Sequence, residues 1–525
     1  MKKYIKITKG ILVTIVLSAF AMSCSEDIMD DINKDINHTQ DAPAKFIIAD
    51  VITSTAFSNM GGDINTYTSA YVEHEVGTDN QLYRAEHRQG EPSAASTFNN
   101  VWGNLYGTLR NARFVIEKCS DGGSQEGNQI TKGVAETLAA YNSALIADMF
   151  GNTPWSQAAL LPSESGIPMY MNPKIDTQEE IYTGIMTYLD DAITDLQGTD
   201  AHVTGSLGTH DLLYGGDKTK WLKFAYGLKA RYTMHLLQRS SNSQASLESV
   251  IEYADKSFTS TEEQAAFAIY DASNLNPLFD FQWSRDGLAA SESMSEKLIE
   301  RNDPRLRRVF VDASWYQMTG SDDEYFFMAP NGENDQEKYY YNTSVFVYSQ
   351  TAPTLMLSYH EIMFLKAEAL CRLDRSDEAV DVLKNAVISA IANTENSVLA
   401  AMQSPTLAIY GGLAETTDAI TEEEATSYFE NDVMPLFTAN PLKETMNQKY
   451  LAFFGASGES TECYNDIRRL KGLGEDLITL NNPNQFPLRC PYGNDDTTTN
   501  PEVKTAYGDG QYVYTEPVWW AGGTR

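Results

Sequence analysis

Apolar residues recur every three or four positions along much of the chain, which is the spacing of one face of an α-helix. One such pattern runs through residues 98–116, a second through 134–149 and a third through 181–196. Thr177 and Glu180 precede the third pattern with the spacing of a capping box at a helix start. The pattern therefore predicts three successive amphipathic helices in the first half of the chain.

Two later segments resemble each other and predict helix pairs. Residues 221–238 and 246–258 are periodic stretches separated by a short polar break, and 358–373 and 378–391 are separated by the turn "DRSD". Small residues such as Ala367 would let the helices of the second pair approach closely. This arrangement resembles a tetratricopeptide unit. Because the pairs do not recur at a fixed period, the chain is not predicted to be a plain solenoid.

The remaining segments have a different composition. Residues 259–355 are rich in Asn, Asp, Gly and aromatics, and predict loops, short helices and a small hairpin near Lys338–Tyr348. Residues 440–525 form a second loop-rich part, with clustered Pro, Gly and Asn towards its end. Loops of this length inside a compact protein are usually functional.

The predicted fold is therefore mostly α with little β. A scaffold of helix pairs spans about residues 98–258 and 357–394 and packs against the loop-rich part at 259–355. We expect the ligand side of the molecule to lie in that loop-rich part.

The first 23 residues have the order of a secretory signal. A basic start is followed by the apolar run Ile11–Met22, which is too short to span a membrane, since spanning needs about 20 residues. Small residues then precede Cys24 and resemble a bacterial lipobox. We expect cleavage before Cys24, attachment of lipid such as palmitate to its sulfur, and an acidic tether over residues 24–44. The alternative is an ordinary signal peptide that happens to end near a cysteine.

The formal net charge of −33 excludes some partners, because such a chain is repelled by nucleic acid and by anionic lipid head groups. No nucleic-acid partner is expected, and the membrane link must come from lipid on Cys24. No later stretch is apolar enough to span a bilayer. With 11% aromatic residues, residues 45–525 are predicted to form a folded, exported body.

The sequence contains no recognised catalytic or metal-binding pattern. A G-x-S-x-G elbow, a Walker A loop and a G-x-G-x-x-G fingerprint are all absent. Acidic runs at 321–324 and 494–496 have oxygen ligands suited to calcium, but a solvated loop is the simpler interpretation. We therefore expect no enzyme activity, no metal and no cofactor.

The cysteines after Cys24 are far apart, without a CxxC or His/Cys cluster, so a zinc site is not expected. Cys371 lies in an apolar helix pattern and is expected to be a core thiol. Disulfide pairing stays open for the four cysteines of the body: Cys119, Cys371, Cys463 and Cys490.

Six short motifs follow one another along nearly the whole chain. They are "ADMFGNTPWSQA" at 147–158, "RNDPRL" at 301–306, "HEIMFLKAEAL" at 360–370, "QKYLAFFG" at 448–455, "YNDIRRL" at 464–470 and "FPLRCPYGNDDTTTNP" at 486–501. Together they resemble the SusD/RagB family, and within it the SusD-like branch of nutrient-binding outer-membrane lipoproteins. Each motif alone is weak, whereas six in this order are fairly specific.

The resemblance implies a location and partners. Members of this family are lipid-anchored to the outer membrane, face the cell exterior and cap a TonB-dependent transporter barrel of the SusC type. They bind glycans or other oligomeric nutrients for import, on a scaffold of tetratricopeptide-type helix pairs. Four acids after Cys24 resemble the signal that sends such lipoproteins to the cell surface: Glu26, Asp27, Asp30 and Asp31. The alternative for these acids is a merely soluble linker.

Several motif residues also have a purely structural interpretation. Gly151 can end a helix with a positive φ. Trp155 is expected to pack back onto the fold, and Arg305 to pair with a local carboxylate. Arg468 and Arg469 are expected to hold the C-terminal loops by bonding to backbone carbonyls or acids.

No family motif marks the ligand site, so the candidates come from composition. A sugar site needs flat aromatic side chains with amide, acid or Arg partners beside them. Such side chains occur in polar surroundings without helical periodicity at five positions: Trp283, Trp315, Tyr316, Tyr83 and Arg84. The alternative for each aromatic residue is burial in the core. The alternative function is a helical-repeat surface adhesin or scaffold that binds protein partners.

Overall fold

Helices form most of the described backbone. The structure is a computed structural model that describes residues 42–89, 97–161, 167–203, 205–311, 327–338, 340–404, 418–508 and 512–525. The elements below belong to one compact unit, Ala44–Arg525. Of the described residues, none lies in a helix long and apolar enough to cross a bilayer.

The first eight helices run from the start of this unit to the end of the first predicted helix pair. Their bounds are α1 Ala44–Thr53, α2 Asp63–Tyr71, α3 Asn80–His87, α4 Thr97–Cys119, α5 Gln129–Phe150, α6 Gln178–Asp195, α7 Lys218–His235 and α8 Ser243–Lys256. A π-helical segment, Ser54–Met60, continues α1.

Shorter helices dominate the rest, apart from those of the second predicted pair. Their bounds are α9 Pro277–Arg285, α10 Glu292–Glu300, α11 Leu306–Val309, α12 Tyr359–Arg372, α13 Ser376–Met402, α14 Glu422–Tyr428, α15 Met434–Ala439, α16 Pro441–Ala452, α17 Ser460–Leu473, α18 Asn494–Thr499 and α19 Pro501–Tyr507.

The three helices predicted from apolar periodicity are α4, α5 and α6. The capping box before α6 is confirmed: Thr177 Oγ1 accepts the Glu180 N–H at 3.2 Å, and the Glu180 carboxylate accepts the Thr177 N–H at 2.7 Å. Helix α5 packs between α4 and α6 and is buried almost throughout. It ends at Gly151, whose φ of 76° confirms the predicted stop.

The two predicted helix pairs are α7 with α8 and α12 with α13, and α8 also packs against α12. The pairs are therefore neighbours in space, although about a hundred residues separate them in sequence. The mostly helical fold is confirmed, while the tetratricopeptide type of the pairs stays a prediction.

The strands that the structure describes form four small antiparallel ladders. Each ladder has two strands: β1 Glu75–Gly77 with β5 Leu288–Ala290, β2 Thr153–Pro154 with β3 Ile175–Asp176, β4 Ala265–Phe267 with β8 Thr354–Leu357, and β6 Phe310–Val311 with β7 Thr343–Ser344.

The hairpin predicted near Lys338–Tyr348 is wrong. Strand β7 pairs with β6, more than thirty residues earlier, and Val345–Tyr348 is a 3₁₀ turn. All four side chains of that turn are buried. In a strand, successive side chains would alternate between two faces, whereas a 3₁₀ turn distributes them around its axis.

Helices α1 to α3 and α16 to α17 were not predicted. Every residue of α2 from Ile64 to Tyr71 is buried, so it has no polar face that periodicity could detect. Its hydroxyls bond to the preceding turn: Thr68 Oγ1 donates to the Ile64 carbonyl at 2.9 Å and Ser69 Oγ to the Thr66 carbonyl at 2.8 Å. Helices α16 and α17 occupy the first part of the region 440–525 that was predicted to be rich in loops.

The structural interpretations of the motif residues largely hold. Arg305 pairs with Asp303 at 2.6 Å. The Trp155 indole N–H donates to Ser143 Oγ at 2.9 Å, and the Arg113 guanidinium lies 4.8 Å from its ring centroid, so Trp155 packs onto the fold as expected.

The two arginines of α17 bond to different parts of the protein. Arg468 donates to the carbonyls of Asp148, at 2.6 Å, and Leu488, at 3.3 Å, and so holds the C-terminal loop as predicted. Arg469 instead joins α17 to α12 through Glu368, at 2.7 Å, and also contacts Asp466.

The four cysteines whose pairing was open are all buried and free in the described chain: Cys119, Cys371, Cys463 and Cys490. The expected core position of Cys371 is confirmed, since its thiol lies 3.7 Å from Thr445 Oγ1 at the junction of α12 and α16.

Candidate functional site

Helix α9 presents an exposed tryptophan. Asn276 caps the helix by accepting the Leu278 N–H at 2.9 Å, and Pro277 occupies the first helical position. Trp283 is 61% exposed and its ring is nearly parallel to that of Phe279, with an interplanar angle of 5° and centroids 6.3 Å apart. One ring face is thus supported by the protein, and the side chain remains accessible to a ligand.

Tyr83 and Arg84 lie on α3. The half-buried Tyr83 donates its hydroxyl to the Asn334 carbonyl at 2.6 Å and packs on His87 with ring centroids 4.0 Å apart. Arg84 is exposed. Tyr83 and Arg84 were expected in an early loop, which is wrong because they lie on α3, whereas Trp283 lies on α9, within the region 259–355 that was predicted to contain short helices.

Pairing of β1 with β5 brings α3 and α9 together. Strand β1 precedes α3 and β5 follows α9, and the Thr78 N–H donates to the Gly287 carbonyl at 2.9 Å just beyond the ladder. Lys338 joins the same ends, donating to Asp79 Oδ2 at 2.9 Å and to the Arg285 carbonyl at 3.2 Å. Residues of α3 and α9, about 200 positions apart in sequence, therefore share one surface. We call this surface, with the cavity next to it, the α3–α9 site.

A cavity of about 360 Å³ opens between α9, α2 and α4. Ser284 and Arg285 of α9 line it, whereas Trp283 does not line it and lies with Phe279 on a different side of the helix. Carboxylates, amides, hydroxyls and one guanidinium dominate the wall: Asp63, Asp280, Gln81, Asn100, Asn104, Ser58, Thr66, Ser284 and Arg285. Phe57, Phe281 and Pro277 add apolar surface.

The charged groups of the cavity influence each other. Burial raises the pKa of the Asp63 carboxyl above its ordinary value, and the nearby positive charge of Arg285 offsets part of that rise. The wall therefore combines hydrogen-bond donors and acceptors with little net charge. This chemistry suits a hydroxyl-rich neutral ligand better than an ion.

Buried glutamates hold the loops around α3. Glu73 accepts the N–H groups of Asn481 and Asn482, both at 2.7 Å, and Glu86 accepts the Gly332 N–H at 2.8 Å. Burial raises the pKa of Glu75 to about 8 and that of Glu86 to about 7. These carboxyl groups fix the chain segments that pack against α3 and β1, and none of them lines the cavity.

The remaining predicted site residues lie outside the described residues: Trp315, Tyr316, Cys24, Glu26, Asp27, Asp30 and Asp31. Among the residues that the structure does describe, no group of three His, Cys, Asp or Glu side chains could hold a metal ion.

None of the sequence-based candidates that the structure describes lines the cavity. Asn100 and Asn104 lie one helical turn apart near the start of α4, so both amides are on the same side of the helix. This pair of amides was a sequence signal that could have indicated a binding surface. The sequence offers no such signal for Asp63, because the helix that begins with this residue is buried on all sides.

Solved structures first show the fold, which recurs in proteins that share little sequence with this chain. A SusD homologue from Bacteroides fragilis is 18% identical, with a TM-score of 0.67, and the match covers 91% of this chain and all of that one. A chitin-binding protein is 20% identical, with a TM-score of 0.67, covering 90% of this chain and 99% of that one. At these identities the likeness shows the fold alone.

A SusD/RagB family protein from Bacteroides thetaiotaomicron is 55% identical, with a TM-score of 0.84, and the match covers 92% of this chain and all of that chain. The SusD-like family described as "starch-binding associating with outer membrane" matches residues 35–492. The chain belongs to this SusD-like family of outer-membrane-associated binding proteins. A comparison with curated proteins finds no match.

Proposed function

We propose that this protein is a lipid-anchored lipoprotein on the outer face of the outer membrane. It captures a neutral oligosaccharide at the α3–α9 site and delivers it to a TonB-dependent transporter of the SusC type. The observation that carries the proposal is that α9 bears both an exposed tryptophan, Trp283, and part of the wall of a cavity lined with amides, hydroxyls and Arg285.

The chemistry of a sugar fits this combination. A pyranose ring has an apolar C–H face, which stacks on an indole, and hydroxyl edges, which exchange hydrogen bonds with amides and carboxylates. Trp283 offers the flat surface, while Asn100, Asn104 and Arg285 offer polar groups on adjoining elements. At about 360 Å³ the cavity lies in the lower part of the usual range for small-ligand sites.

The comparisons favour a neutral ligand. The family is described as starch-binding, and one protein of the same fold is named a chitin-binding protein. Both polysaccharides carry no net negative charge. The formal charge of −33 on this chain also disfavours an acidic glycan, which the protein would repel at long range. The family, whose members are binding proteins, supports binding without turnover, and we propose no catalytic step.

Attachment to the membrane rests on the N-terminal sequence. We propose that Cys24 is lipidated and that Glu26, Asp27, Asp30 and Asp31 direct the protein to the cell surface. Several acyl chains are needed for a stable anchor, since a single chain gives only reversible binding.

An exposed apolar tip supports a protein partner. The described part of the loop between β2 and β3 exposes Ile167, Met169, Tyr170 and Met171 by 42–73%. The base of this hairpin is fixed, because Asp176 accepts the backbone N–H groups of Trp155 and Ser156. Clusters of exposed apolar residues mark interaction surfaces, and methionine adapts to varied partners. We propose that this hairpin tip contacts the transporter.

The experiment that tests the function is a screen of the purified protein against neutral oligosaccharides, followed by titration of each hit. We expect saturable binding of at least one oligosaccharide and no release of reducing ends. A protein that binds no glycan but still captures surface proteins would be the adhesin or scaffold of the alternative hypothesis.

A further inference from the structure

A second cavity, of about 320 Å³, lies on the helix-pair scaffold and shares no residue with the α3–α9 site. It is bounded by the chain that follows α8, the first residue of α12, the middle of α13 and the start of α14. We call this cavity the scaffold groove.

The floor of the scaffold groove is apolar and includes a flat ring. Ile388 and Ile391 of α13 and Ile420 supply the aliphatic surface, and Tyr359 of α12 lies beside them, half-buried. The backbone of Tyr359 is held in place, because its N–H donates to Gln264 Oε1 at 3.2 Å. The ring therefore stands on a rigid element.

Two polar groups on the wall have unused hydrogen-bonding capacity. In the described chain, neither the Tyr359 hydroxyl nor the Asn385 carboxamide bonds to another protein group. Burial raises the pKa of Tyr359, so its hydroxyl stays protonated and can donate. By contrast, Thr259 already donates its hydroxyl to Glu263 at 2.9 Å, and Thr421 Oγ1 accepts the Glu424 N–H.

The charges of the lining exclude one class of ligand. The wall contains no Lys, Arg or His, and its single carboxylate belongs to Glu422, which is exposed. An anionic ligand would find no counter-charge there. An apolar floor, a tyrosine ring and unused neutral donors and acceptors match the two-sided character of a sugar ring.

We propose that the scaffold groove is a second saccharide-binding site, which holds a short stretch of a neutral glycan. A volume near the lower limit for small-ligand pockets suits one or two sugar residues. Two weak sites on one rigid body raise the apparent affinity for a glycan long enough to reach both. The proposal shares its ligand class with the function proposed above, but none of its residues.

The test uses the full folded protein and a panel of neutral malto-, xylo-, manno- and chito-oligosaccharides, titrated by calorimetry. The groove variants are Tyr359→Phe, which removes one hydroxyl, and Asn385→Ala. The matched control is Asn396→Ala, an exposed amide three turns further along α13 that does not line the groove. Thermal unfolding of each variant checks that the fold is intact.

We expect two sites in the wild type and a loss of about three- to tenfold in affinity at one of them in each groove variant, as for one neutral hydrogen bond. Asn396→Ala should bind as the wild type does, and Trp283→Ala should weaken only the other site. One site that Trp283→Ala weakens and the groove variants leave unchanged would overturn the second site and leave the α3–α9 site intact. One site weakened only by the groove variants would instead contradict the α3–α9 site. Absence of binding by the whole panel would overturn both.

Discussion

Tryptophan has two different environments in this chain. Trp221 and Trp520 are fully buried, and their indole N–H groups donate to Asp211 at 2.7 Å and to Asp148 at 2.9 Å. The indole N–H of Trp283 has no partner among the described residues, and most of the side chain faces solvent. Because buried indoles are normally paired, the exposed and unpaired indole of Trp283 has an environment that fits ligand binding.

The anchor also depends on a single residue. Cys24→Ala removes the sulfur that would receive lipid, so this variant should leave the membrane fraction and appear as a soluble protein. Fractionation of cells that express each form, with palmitate labelling, measures the effect. The wild type should be labelled with palmitate and should sediment with the outer membrane. If Cys24→Ala is labelled and sediments in the same way, Cys24 is not the lipidated residue.

At the scale of elements, buried ion pairs join the helices. Arg469 of α17 contacts Glu368 of α12, with both side chains fully buried, and Lys449 of α16 contacts Asp466 of α17 at 2.7 Å. Removal of one partner leaves an uncompensated buried charge. These pairs therefore make the contact between α12, α16 and α17 sensitive to substitution.

Arg469→Ala should lower the free energy of unfolding by about 3 kcal/mol, because Glu368 and Asp466 each lose one of their two buried cations and keep only Arg372 and Lys449, respectively. The matched control is Arg375→Ala, which removes exposed pairs with Glu378 and Glu248 and should cost about 0–1 kcal/mol. Urea unfolding of the two variants provides the measurement. Equal losses would contradict the role given to burial.

The buried His235 should make stability depend on pH. Burial by itself lowers the pKa of His235, but contacts with Glu462, at 2.6 Å, and Asp148 raise it to about 9. Below pH 6.5 both folded and unfolded chains hold the proton and the stabilisation is complete. Between pH 6.5 and 9 only the folded chain holds it, so the free energy of unfolding should fall by about 3 kcal/mol.

His235→Gln isolates this contribution, since glutamine keeps polar atoms but does not titrate. Urea unfolding at pH 6 and pH 9.5 should show a smaller difference between the two pH values in this variant than in the wild type. The same difference in both proteins would assign the pH dependence to other groups.

Sequence periodicity found the helices whose apolar side chains recur every three or four positions, including α5, which is buried almost throughout, and missed helices such as α2 and α17, in which polar side chains are buried. Helices α4, α5 and α6 were predicted, and the capping box at Thr177 and Glu180 was read correctly. Helix α17 was not, because Arg468, Arg469 and Asp466 look like a solvent-facing set and are instead buried in pairs. Burial of paired charge depends on distant partners, which local spacing does not reveal.

For the whole molecule, the fold could be predicted because six motifs resemble one family, whereas the site could not. The cavity walls come from α2, α4 and α9, and the pairing of β1 with β5 brings α3 beside them. Trp283 could be named from its polar neighbours alone. Asp63 could not, and the role of the polar pair Asn100 and Asn104 becomes visible only when the tertiary fold brings α2, α4 and α9 to one cavity.

The hairpin tip should affect association with the transporter and leave ligand binding unchanged. Replacing Met169, Tyr170 and Met171 with serine removes exposed apolar surface, so an affinity pull-down from outer membranes should recover about tenfold less barrel protein, or lower still. The matched control replaces Leu399 and Met402, which are exposed on α13, with serine. If both variants recover the same amount of barrel protein, the hairpin tip is not part of the interface. If the wild type recovers no barrel protein, the proposed partnership with the transporter is contradicted.

The most direct test of the central claim is calorimetric titration of Trp283→Ala with an oligosaccharide that the wild type binds. We predict a loss of about 1–3 kcal/mol in binding free energy, the range of a hot spot, with the melting temperature nearly unchanged because the side chain is exposed. Phe46→Ala, which truncates an exposed aromatic on α1, should bind as the wild type does. Unchanged affinity in Trp283→Ala, or an equal loss in Phe46→Ala, would contradict a ligand site at α3 and α9.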